Sequence, residues 1–143
     1  FTFFHSGLAM HAEDIHSNLG PATFSPCRDI WMPLDLSNPA SFNAIMAHAA
    51  AHLSKIQDKE SNPDTLRFKT EAIEFVNKWL SDPTTAFKDE VFAAVLRLFT
   101  FERYQGTSER SNLHKRGLHQ MVEARGGYKT FDTNWRLQLA LSL

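Results

Sequence analysis

With a single cysteine in 143 residues, Cys27, the chain has no partner for an intrachain disulfide and no ligand set for a multi-cysteine zinc site. No apolar run approaches the roughly 18–20 residues that a membrane-spanning helix needs. The opening Phe1-Thr2-Phe3-Phe4 has neither the basic region nor the small-residue cleavage site of a secretory signal. An excess of one charge is missing too. Fifteen Lys and Arg stand against 16 Asp and Glu, a net charge of −1. That balance excludes a chain-wide electrostatic grip on nucleic acid or anionic lipid, and leaves room only for a local basic face. What remains is ordinary globular material, 43% apolar and 22% charged, enough to bury one core without staples. The apolar start and the stop at Leu143 inside a periodic segment read as a fragment of a longer, intracellular protein.

Helix signals dominate what is present. Phe42, Ile45, Met46, Ala49, Leu53 and Ile56 recur at three and four residues and form one helical stripe, started by Asn38-Pro39 or Ser41. Ala44, Ala47, Ala50 and Ala51 lie opposite and admit a close neighbour, so this first long helix is expected to be covered on two sides. A second starts at Asn62-Pro63-Asp64, runs to about Leu80 and stops before Asp82-Pro83. Its wide apolar set, Leu66, Ile73, Val76 and Leu80 with Phe68, Ala72, Phe75 and Trp79 beside them, predicts a central helix with one wet edge. The third, Lys88 to Tyr104, is apolar nearly all round and is expected to be buried, with Gly106 as its left-handed cap. A fourth begins near Thr107-Ser108 and ends at Gly126-Gly127. A fifth starts at Asp132-Thr133 and continues to the last residue. Before these, Phe3, Phe4, Leu8 and Met10 suggest a short helix, Ser17 to Pro26 a loop, and Asp29 to Leu36 a helical turn bent by Pro33. The fold class is therefore all-α: a single unit over residues 1–143, less regular over 1–38 and a bundle of five to six helices over 39–143.

Catalytic motifs are scarce. His48 and His52 are four apart, as two zinc ligands can be, but Ala49 stands where a metalloprotease carries glutamate. A metal-dependent enzyme built on that pair is the remotest reading, and His5, His11 and His16 add nothing to it. Cys27 has no signature around it, no Gly-x-Ser-x-Gly elbow exists, and Gly126-Gly127 is followed by no Gly-Lys-Ser/Thr. No catalytic, cofactor-binding or metal residue is assigned. The anomaly is Glu102, which falls on the apolar stripe of Val91, Val95 and Leu98. On the next helix His114, Gly117, Leu118, Met121 and Arg125 share a face. An unpaired buried charge is too costly to persist. A buried polar network of Glu102, His114 and Arg125 is therefore expected, with Gly117 allowing the two helices to approach closely. One carboxylate cannot hold both partners. His114 is favoured for Glu102, and Arg125 is expected to meet Asp89 or Glu90. In the local basic segment Arg110, Lys115, Arg116, Arg125 and Lys129, Arg125 is expected to turn inward and the other four read as a solvated helix face.

Three further pieces stand in a recognisable order. They are Arg28-Asp29-Ile30-Trp31-Met32-Pro33-Leu34 with Asn38-Pro39-Ala40-Ser41-Phe42, then Lys69-Thr70-Glu71-Ala72-Ile73, then Asn112-Leu113-His114-Lys115-Arg116-Gly117-Leu118 running on to Glu123-Ala124-Arg125-Gly126-Gly127. Over about residues 26–127 the chain resembles the fungal-specific transcription factor domain, the regulatory or middle-homology region of fungal zinc-cluster transcription factors. The resemblance implies an all-α fragment of a larger regulatory domain, nuclear residence and control of RNA polymerase II transcription without catalysis. It implies protein partners in the transcription machinery or a second subunit, and DNA contact only through a separate module. Zinc would sit in a separate N-terminal six-cysteine cluster, not here. An alternative is a small-molecule effector sensor with a pocket between the third and fourth helices around Glu102 and His114.

Overall fold

The computed structural model describes residues 23–142 apart from Ser61 and Thr107. The short helix expected around Phe3–Met10, most of the loop expected over Ser17–Pro26, and His5, His11 and His16 lie outside the described residues. Among those described, a single π-helical turn, Cys27–Trp31, runs into α1, Met32–Asp35, and five longer helices follow. These are α2 (Pro39–Ile56), α3 (Pro63–Leu80), α4 (Asp89–Gln105), α5 (Ser108–Arg125) and α6 (Trp135–Ser142), with a 3₁₀ turn Tyr128–Phe131 before the last. No strand occurs among the described residues. The all-α fold expected from periodicity is the fold observed.

Local chemistry sets the boundaries. Asn38 accepts a hydrogen bond from the Ser41 amide at 2.8 Å, with Pro39 preset for the first turn of α2. Asn62 does the same for α3 through the Asp64 amide at 2.9 Å. Gly106 ends α4 at φ +80°, and α5 closes with the Gly127 amide donating back to the Val122 carbonyl at 2.8 Å. The final helix starts later than expected. Asn134 rather than Asp132 or Thr133 caps it, accepting from the Leu137 amide at 3.1 Å. The residues before it form the 3₁₀ turn that drives Phe131 into the core, edge-on to Phe92 at 4.8 Å.

The core is organised around α4, buried on every side as its composition predicts. Val91, Phe92, Val95, Leu96 and Leu98 meet Ile30, Trp31 and Leu34 from the N-terminal turns, Ala72 and Val76 from α3, and Leu137 and Ala140 from α6. A smaller cluster joins Ala47 and Ala51 of α2 to Phe101 and Tyr104. Two expectations about the flanking helices fail. In α2 the buried residues are Ala40, Ser41, Ala44, Ala47, His48, Ala50, Ala51 and Ser54, while Phe42, Leu53 and Ile56 are 44%, 46% and 68% exposed. The alanine face packs inward and the large stripe faces out, because only the thin face lets α2 approach α3 and α4 closely. Nor is α3 central: it buries only Ala72 and Val76, and leaves Leu66 and Leu80 exposed.

Candidate functional site: the polar groups of the central helix

Because α4 is enclosed by its neighbours, each charge it turns inward must be met from another element, while Glu90 and Arg103 stay exposed. Three such meetings line up along it.

At the C-terminal end, Glu102 is 2% exposed and its Oε1 lies 2.6 Å from the Lys69 ammonium of α3. This corrects the expected partner. The lysine stem passes the Phe101 ring, whose centroid is 5.5 Å from the ammonium, and so reaches a buried carboxylate from a partly wet helix. His114, from α5, is half-buried nearby. Its pKa is lowered, chiefly by desolvation and further by the Lys69 and Arg110 charges, with Glu102 opposing. Gly117 does not serve the close approach expected of it: a Cβ there would meet nothing within 4 Å.

At the N-terminal end, Arg125 donates to Asp89 at 2.6 Å, to the Phe87 carbonyl at 3.2 Å and to the Thr130 carbonyl at 2.8 Å. Its guanidinium covers the Phe131 ring at 3.9 Å. Asn134 donates to the other Asp89 oxygen at 3.1 Å, so the cap of α6 and the end of α5 share one carboxylate. Glu102 and Arg125 therefore belong to separate nodes at opposite ends of α4, and Arg125 meets Asp89, one of the two partners expected for it.

The third node lies in the middle, and the sequence reading passed over it. Arg97 and Asp35 are both buried and form a bidentate pair at 2.8 and 2.7 Å. Burial pushes the Asp35 carboxyl above its ordinary value, and the guanidinium opposes that shift. Arg97 also lies over the Trp31 ring at 4.5 Å, while Thr100 donates to the Arg97 carbonyl at 2.7 Å. His48 of α2 completes the line, with Nε2 3.3 Å from the Thr100 hydroxyl and its ring edge-on to Phe101 at 5.1 Å. Desolvation, then the Arg97 charge, holds the His48 pKa well below 6.5, so the ring is neutral. The signal was available. Arg97 sits inside a helix that is apolar nearly all round, and Asp35 closes an apolar run.

Metal and ligand chemistry can be placed against this geometry. His52 Nδ1 lies 3.1 Å from the Tyr104 hydroxyl, so both α2 histidines address hydroxyls of α4. Among the described residues no group of three or more His, Cys, Asp or Glu could hold a metal ion. The six-cysteine cluster implied by the resemblance does not fit residues that include Cys27 alone. Among the described residues no helix is long and apolar enough to cross a membrane. A cavity of about 450 Å³ opens beside the Glu102–Lys69 pair, lined by Lys55, Thr65, Leu66 and Phe101 among others. It lies mainly among α2, α3 and α4 rather than between α4 and α5, and His114 does not line it.

Polar groups committed to joining helices, at both ends and the middle of one buried helix, define a helical scaffold. The scaffold has a family. The profile of the fungal specific transcription factor domain matches residues 14–142, nearly the whole chain, and the chain belongs to that family. With membership comes a role in transcription regulation. No curated protein and no solved structure matches it.

Proposed function

We propose that this chain is a regulatory, protein-interaction domain of a fungal transcription factor acting on RNA polymerase II, that it is a single all-α unit, and that it works without catalysis. Its setting on this reading is the nucleus, and its partners are proteins of the transcription machinery or a second subunit. Base-specific DNA contact, and any zinc, are assigned to a separate N-terminal module. The observation that supports this best is the outward stripe of α2, since contiguous exposed apolar surface marks interaction sites in soluble proteins. The test is a reporter driven by the chain fused to an unrelated DNA-binding module in a fungal cell. Reporter output should change on fusion, and Leu53→Asp should abolish the change. Output equal to that of the bare DNA-binding module would sink the reading.

The cavity beside Glu102 and Lys69 favours one secondary reading, a small-molecule effector taken up at the end of the bundle where α3 and α5 begin. On that reading Thr65→Val, in the cavity wall, would alter reporter response to an effector while leaving effector-free output unchanged.

A further inference from the structure

The near-neutral charge of the whole chain hides a local excess. Four basic side chains, Lys55, Lys59, Lys69 and Arg110, line the cavity of about 450 Å³ against two acidic ones, Glu60 and Glu102. Lys69 and Glu102 answer each other at 2.6 Å. Lys55, Lys59 and Arg110 then face Glu60 alone, in a chain whose net charge is −1. These three cations form no ion pair among the described residues. Lys55 and Lys59 come from the end of α2 and the residues just after it, Arg110 from the first turn of α5. Lys55 is steadied by the Tyr104 ring, whose centroid is 4.1 Å from its ammonium. Like charges gathered round a concave wall concentrate positive potential inside it.

The wall also holds an unanswered hydroxyl. Thr65 Oγ1 is buried and has no hydrogen-bond partner among the described residues, a costly state for a polar group. Threonine in a helix takes two χ1 rotamers, so this hydroxyl can turn to an acceptor in the cavity. The backbone beside it is already engaged: the Asp64 amide donates to Asn62 Oδ1 at 2.9 Å and the Thr65 amide to the Asn62 carbonyl at 3.0 Å. Recognition therefore falls to side chains. Ala51, Leu66 and Phe101 supply apolar wall between the charges, and the volume is that of a metabolite-sized ligand.

We propose that this cavity takes a small organic anion, a carboxylate or phosphate group carried on a compact apolar body. Arg110 and Lys59 hold the anionic oxygens, Lys55 adds charge from the Tyr104 side, and Thr65 donates to one oxygen. Leu66 and Phe101 contact the apolar body. The proposal rests on the effector reading above and names the effector's chemical class.

Three probes that share a phenyl body read the class directly: phenyl phosphate, phenylacetate and neutral benzyl alcohol. The readout is amide NMR at about 150 mM ionic strength, where the Debye length is about 8 Å. Both anions should saturably shift the amide resonances of Leu66, Phe101 and Arg110, and benzyl alcohol should not. Arg110→Gln and Lys59→Gln should each weaken anion binding about three- to fivefold, the worth of one exposed ion pair. Both positions are exposed, so circular dichroism should show the fold intact. Lys129→Gln, at a basic residue outside the cavity, should leave the affinity unchanged. Equal weakening by Lys129→Gln overturns the proposal, since that is general attraction to basic surface. Benzyl alcohol binding as tightly as the anions also overturns it, and leaves the effector reading standing with a neutral ligand. If no probe moves those resonances the proposal falls. The effector reading falls with it only if Thr65→Val also leaves reporter response to an effector intact.

Discussion

Helices α2 and α4 are both rich in apolar residues, and they resolve that richness in opposite ways. In α4 the large side chains are enclosed, and so are two charges, Arg97 and Glu102, each met by a group from another helix. In α2 the enclosed residues are alanines, serines and His48, while Phe42, Leu53 and Ile56 stand in solvent. Hydrophobicity alone does not decide which face turns inward. Where a crowded helix such as α4 fills the interior, a neighbour gains more from close approach of a thin face than from adding bulk to a full core. The ionic groups of α4 then fix how the surrounding helices sit on it.

The largest expected effect tests the enclosed side of that contrast. Arg97→Ala strands the buried Asp35 carboxylate and should cost about 3–5 kcal/mol in equilibrium unfolding. A cost below about 1 kcal/mol would place the pair in solvent. Glu102→Gln should cost less, about 1–3 kcal/mol, because Lys69 keeps some access to water. A double-mutant cycle of Glu102→Gln with Lys69→Met should show coupling, whereas the cycle of Glu102→Gln with Arg125→Met should be additive.

Protonation probes the contact between the two helices. The folded pKa of His48 is depressed, so its contribution to stability is complete above the unfolded value near 6.5 and is lost as pH falls below it. Unfolding free energy should decline between pH 6.5 and 5, by up to about 1.4 kcal/mol per pH unit from this residue. His48→Gln should flatten the decline. Some slope should persist, since the His114 pKa is lowered as well. An identical slope in the variant would remove His48 from the buried line.

The smallest effect concerns α5. Nothing obstructs a Cβ at Gly117, so Gly117→Ala should stabilise the chain by about 0.4–1 kcal/mol. A loss on thermal melting would restore the close helix contact that the sequence suggested.

Much of this was legible in the residues. Caps at Asn38, Asn62 and Gly106, the enclosure of α4 and the inward position of Glu102 all follow from local rules that neighbours do not alter. Partners were harder. Lys69 reaches Glu102 from the preceding helix, 33 residues back in sequence, and a long flexible stem leaves no mark in periodicity. The Asp35–Arg97 pair spans 62 residues, a distance over which spacing carries no information. The α2 inversion escaped for another reason. Its two faces were both identified, and only the bulk already filling the interior could choose between them.

Paired substitutions on those two faces are the most direct measurement. Ala47 is fully enclosed and Leu53 is 46% exposed. Equilibrium denaturation should find Leu53→Asp within about 0.5 kcal/mol of the parent, and Ala47→Asp unfolded or destabilised by more than about 3 kcal/mol, because an unpaired carboxylate would be driven into the core. The reverse order, Leu53→Asp unfolding the chain and Ala47→Asp tolerated, would turn α2 over and contradict the account.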